Sequence, residues 1–90
     1  MNDSHVHDLA ESFANRVLGM INRQHLVDDS RTRVNLVYRM ALSRPPSSEE
    51  LELGSRMLDK LETAWQGKPT KALGTYCHTI FNSASFIYVD

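Results

Sequence analysis

Ninety residues leave room for one domain, which buries roughly 60 to 65% of the surface of its unfolded chain. With 41% apolar and 23% charged residues the chain has ordinary globular usage, which excludes intrinsic disorder and fibrous repeats. Ten basic and eleven acidic side chains give a net charge of -1, which excludes a global field for nucleic acid or an anionic membrane, so any such binding is local.

The apolar positions Val6, Leu9, Ala10, Phe13, Ala14, Val17, Leu18 and Ile21 follow the i, i+3, i+4, i+7 rule of an amphipathic helix. Asp3 or Ser4 is expected to cap it, with Asp8 and Glu11 near its positive end. Arg23 to Asp28 reads as a connector. Asp29 or Ser30 then caps a second helix with Val34, Val37, Tyr38, Ala41 and Leu42 facing inward.

Pro45 and Pro46 end that helix, because neither donates a backbone hydrogen bond and Pro45 disfavours helical geometry at Arg44. Ser47 and Glu50 have capping-box spacing and open a third helix. Its expected apolar stripe is Leu51, Met57, Leu58, Leu61, Ala64 and Trp65, while Glu49, Glu50, Glu52, Asp59, Lys60 and Glu62 mostly face water.

Gly67-Lys68-Pro69 stops the third helix, and Thr70 is expected to cap a fourth that carries Leu73, Cys77, Ile80, Phe81 and Ala84. The tail Phe86-Ile87-Tyr88-Val89-Asp90 is β-prone, and with no partner strand it is expected as an extended segment or final turn. The fold class expected is therefore all-α, a compact bundle of four amphipathic helices with an extended or turn-like tail.

Chemistry-bearing residues are sparse. His5 and His7 are two apart, which on a helix puts them on different faces and makes a poor chelate; His25 falls in a loop with no second ligand in sequence. Cys77 is the single cysteine, and Gly74 stands where a haem-attachment motif ending in Cys77-His78 needs another. A buried, inert Cys77 is expected from its apolar face, and adjacent helical residues point about 100° apart, so His78 is poorly placed to activate it.

The sequence has no G-x-S-x-G elbow or phosphate-cradling loop, and no catalytic, cofactor or metal residue is assigned. No apolar run approaches the roughly 20 residues of a membrane span, and no secretory leader is expected within this sequence.

Arg31, Arg33, Arg39 and Arg44 make the second helix and its end basic, so Arg31, Arg33 and Arg39 are candidates for phosphate contacts. Pairing with carboxylates of the third helix, and of Arg39 and Arg44 with the helix dipole, is the competing expectation. Arg44, Ser47 and Glu50 together form a candidate structural clamp, with Arg44 bonding the last carbonyls of the second helix or Glu50. Tyr38 and Trp65 are expected at the core or its edge.

Val34-x-x-x-Tyr38-x-x-Ala41-Leu42-x-Arg44-x-Pro46-x-x-Glu49-Glu50-Leu51, then Cys77-His78, Asn82-Ser83 and Phe86-Ile87-Tyr88-Val89-Asp90, resemble the C-terminal part of a planctomycete-specific domain of unknown function. The opening Met1-Asn2-Asp3-Ser4-His5-Val6 is similar to that family's Leu-Asn-Asp/Ser-Pro-Phe-Val start, so the likeness covers essentially the whole chain. The family usually has Gly where Ser43 stands, Trp near Leu73, and Asn-Glu where Ala84-Ser85 stand.

The family closes large proteins with cytochrome-c-like domains upstream. The resemblance therefore implies a fragment of a C-terminal domain, a parent that carries haem, and export to the periplasm or cell surface, where such domains mature. It implies no catalytic residue, because the family's activity is unassigned.

The expected function is a non-catalytic structural or protein-interaction module whose partner is the preceding part of its parent or another protein. Two alternatives remain open: nucleic-acid binding through the second helix, and an accessory part of a redox or hydrolytic site completed by upstream domains.

Overall fold

A computed structural model describes the backbone of residues 4–87 and the side chains of residues 8–83. Four helices follow one another: α1 (Ser4–Arg23), α2 (Ser30–Leu42), α3 (Ser48–Trp65) and α4 (Pro69–Ile87). The all-α four-helix expectation holds, and the Cα radius of gyration of 12.4 Å matches the roughly 12 Å of a compact domain this size.

The connections are short, as is common between neighbouring helices of a bundle. α1 packs most extensively on α4, α4 on α3, and α3 on α2. The core between them holds Ala14, Val17, Val34, Val37, Leu58, Leu73, Tyr76 and Cys77. Phe13 of α1 meets Phe81 of α4 edge to face, ring centroids 5.5 Å apart.

Local chemistry sets the helix ends. Asp29 is the cap of α2, its carboxylate accepting from the Thr32 amide at 2.9 Å, which holds its pKa below the ordinary value. Ser43 closes α2 in the left-handed region at φ 57°, where glycine is usual. Ser47 and Glu50 complete a reciprocal capping box at the start of α3.

Several expectations need correction. α4 begins at Pro69, whose missing N–H costs nothing in a first turn, and the Lys68 carbonyl accepts from the Ala72 amide at 3.1 Å. Thr70 is thus not the cap; its hydroxyl donates to Asn15 Oδ1 of α1 at 3.2 Å. Arg23 belongs to α1 rather than to the connector. Asp3 lies outside the described residues.

Phe86 and Ile87 are helical instead of extended, because lengthening an existing helix adds one hydrogen bond per residue fixed and outweighs weak β-propensity. Tyr88, Val89 and Asp90 lie outside the described residues. Asp8 and Glu11 follow the first turn of α1, too far on to complement its dipole; Glu11 instead accepts from Lys71 Nζ of α4 at 2.7 Å.

The buried stripe of α3 is Gly54, Ser55 and Leu58, flanked by Leu51 and Leu61. Met57 precedes Leu58, so it is turned about 100° away from that stripe. Ala64 and Trp65 are also exposed, because α3 has 18 residues against 13 in α2 and its last turn overshoots the start of its neighbour. Leu9 of α1 is exposed as well.

Candidate interaction surface

The corner between α2 and α3 holds a dense set of polar bonds. Arg44 donates to both carboxylate oxygens of Glu50, at 2.8 and 3.0 Å, and to the Pro45 carbonyl at 3.1 Å. Its guanidinium also lies 5.4 Å from the centre of the Tyr38 ring. Glu50 accepts from the Ser47 amide at 2.9 Å, while Ser47 Oγ accepts from the Glu50 amide at 3.1 Å.

The Arg44 guanidinium, followed by the Ser47 amide, holds the Glu50 carboxyl down to about 2. Pro45 and Pro46 restrict the backbone of this corner, and Ser43 turns it at a positive φ. The bidentate pair fixes its angle, and with it the angle between α2 and α3.

Behind the corner lies a feature that the hydrophobic pattern did not single out. Tyr76 of α4 is only 2% exposed, and its hydroxyl is hydrogen-bonded with that of Tyr38 on α2. Burial is the first cause raising the pKa of both phenols. The Tyr76 ring reaches its partner across Gly54 of α3, where a Cβ would stand 2.5 Å from the Tyr76 hydroxyl oxygen and 3.0 Å from Val34 Cγ1. The only sequence signal was the small pair Gly54-Ser55 at core spacing between Leu51 and Leu58.

On the outer side of this joint, Leu53 and Met57 are 56% and 36% exposed. They line an open groove with Tyr38, Tyr76 and Ile80, and the α4 wall is completed by the hydroxyl-bearing Thr79 and Ser83. Beneath the groove Gly54 of α3 lies against Tyr76 of α4, and the Arg44–Glu50 clamp ties the start of α3 to the end of α2. A polar-rimmed apolar strip has the chemical character of a protein contact.

A second cleft, between the start of α2 and the end of α3, is polar. Arg33 bonds Asp28 at 2.7 Å and also pairs with Glu62, and these carboxylates keep it firmly protonated despite partial burial. Ser30 donates to Asp59, and Arg56 pairs with Glu52 at 2.5 Å. Five carboxylates (Asp28, Asp29, Glu52, Asp59, Glu62) line the cleft against three guanidiniums (Arg31, Arg33, Arg56), an excess of two negative charges.

The sequence-level arginine candidates are thus scattered in role. Arg33 is engaged by two carboxylates, Arg39 donates to Asn35 Oδ1 at 3.1 Å, and Arg31 is exposed beside Asp29. They do not converge on one basic face, and the acidic excess around Arg31 and Arg33 repels phosphate.

Cys77 is fully buried and desolvation pushes its thiol up to about 12, so little thiolate forms near neutral pH. His78, on the next face of α4, is half-buried and His25 is exposed in the α1–α2 connection. His5 and His7 lie in the first turn of α1, their side chains outside the described set. Among the described residues no three His, Cys, Asp or Glu side chains converge as a metal site, and no helix is long and apolar enough to cross a membrane. No family model, curated protein or solved structure matches the chain.

Proposed function

We propose that this chain is a non-catalytic helical module that docks on protein through the outer face of α3 and the adjoining wall of α4. The observation that carries this reading is the exposure of Leu53 and Met57 on a backbone packed from beneath. With Ile80 and the Tyr38 and Tyr76 rings they line one contiguous strip rather than standing as isolated exposed side chains.

The resemblance to the closing part of larger planctomycete proteins supports a terminal module whose partner lies in the preceding domains or in another chain. The sequence upstream of this segment in its natural gene tests the parentage. A haem-attachment motif or secretory leader there fits it, and unrelated coding sequence removes it.

The docking face is tested by the double substitution Leu53→Glu, Met57→Glu. The variant should keep its helical circular dichroism and stay within about 0.5 kcal/mol of the original stability, as surface changes do. Cross-links formed by the natural protein through this face should disappear. A large loss of stability would show that both side chains are structural and would remove the reading.

A further inference from the structure

The exposed face of α3 has a charge order that selects its partner. At 100° per residue, Glu49, Leu53, Met57 and Lys60 fall within one quadrant of the helix, opposite the buried Leu58. Glu49 and Lys60 are both exposed, and neither is in an ion pair among the described residues. The stripe therefore reads acid, apolar, apolar, base along the helix.

We propose that this stripe binds a second copy of the chain, with the two α3 helices antiparallel about a two-fold axis that meets the outer face between Leu53 and Met57. In that register Leu53 of each copy faces Met57 of the other, and Glu49 faces Lys60. A two-fold operator uses each pairing twice, so the face is self-complementary in shape class and in charge. A parallel arrangement would set Glu49 against Glu49 and Lys60 against Lys60, which is repulsive at both ends.

Arg56 lies beside the axis, but it is paired with Glu52 of its own chain and brings no net charge to the centre. The groove wall of Thr79 and Ser83 adds neutral hydroxyls beside the stripe. With few apolar side chains on each side, the dimer is of the weak, concentration-dependent kind. This inference rests on the reading of α3 as a docking face and adds the identity of the occupant.

Sedimentation equilibrium of the full chain over a wide concentration range tests it with charge variants that leave the core untouched. The original chain should dimerise reversibly. E49K and K60E alone should each weaken the dimer roughly tenfold, since two symmetry-related exposed pairs become repulsive. The double variant E49K/K60E should regain dimerisation, and an equimolar mixture of the two single variants should form a heterodimer.

A chain that stays monomeric at every concentration overturns the proposal, as does a dimer indifferent to all three variants. Either result leaves docking on a different protein to be judged by the cross-linking of Leu53→Glu, Met57→Glu, so the two readings fail separately.

Discussion

Gly54→Ala is a sharp perturbation of the joint beneath the docking face, because intrinsic helix propensity and packing predict opposite signs. In an open helix the change stabilises by about 1 kcal/mol. Here the new methyl group would stand 2.5 Å from the Tyr76 hydroxyl oxygen, 3.3 Å from Tyr76 Cζ and 3.0 Å from Val34 Cγ1. Tyr76 is buried and Val34 has no exposed surface, so neither can swing into solvent. Overpacking of this kind costs about 1 to 3 kcal/mol, and displacing the phenol forfeits its bond to Tyr38, worth about 1 kcal/mol.

Set against the propensity gain, the expected net destabilisation is about 1 to 3 kcal/mol. Urea unfolding followed by helical circular dichroism measures it directly. Gly19→Ala is the matched control, since a Cβ there meets only the movable end of the Arg23 side chain, at 3.0 Å. That variant should gain up to about 1 kcal/mol. If Gly54→Ala proved as stable as the original chain, the close approach of α3 to Tyr76 would be refuted, and the packed backing of the groove with it.

Ser43→Gly should stabilise by about 0.5 to 1 kcal/mol, since a left-handed cap strains any residue with a Cβ and glycine's own entropic cost offsets part of the gain; a lower urea midpoint would contradict the assigned cap. Glu50 has its pKa lowered to about 2 in the folded chain, so its contribution is fully present above its ordinary value of 4.5 and is lost as pH falls from there through about 2. Because the pair is exposed, that contribution is about 1 kcal/mol after solvent screening, and the acid side of the stability profile should flatten in Glu50→Gln. Cys77 should resist an aromatic disulfide reagent at mildly alkaline pH and react only as fast as the chain opens; immediate labelling of the native protein would contradict its burial and its pKa of about 12.

Helix number and most boundaries were legible because strong local signals agreed with one another: the α1 stripe, the double-proline stop, and the Ser47–Glu50 box. The inner face of α3 was less legible. Met57 and Trp65 are the kind of residue that marks a core, whereas the residues that face it include Gly54 and Ser55, whose smallness admits Tyr76 of another helix. Periodicity within one helix does not encode that tertiary requirement.

The same limit applied to charge. Arg33 looked available for phosphate until the fold brought Glu62 beside it from 29 residues away. Conversely, the Arg44–Glu50 clamp was readable because its partners are six residues apart and the prolines between them restrict the turn. The docking stripe itself was present in the sequence, but Leu53 could be recognised as exposed only after the buried side of α3 was known.

The central claim is that protein covers the outer face of α3 in the working assembly. Hydroxyl-radical footprinting of Met57 in the natural protein, read by mass spectrometry, tests this most directly because oxidation of methionine follows exposure. The account predicts that Met57 is protected several-fold relative to the same residue in a Leu53→Glu variant, with Met20, on another helix, unchanged. Equal oxidation of Met57 in both proteins would contradict it.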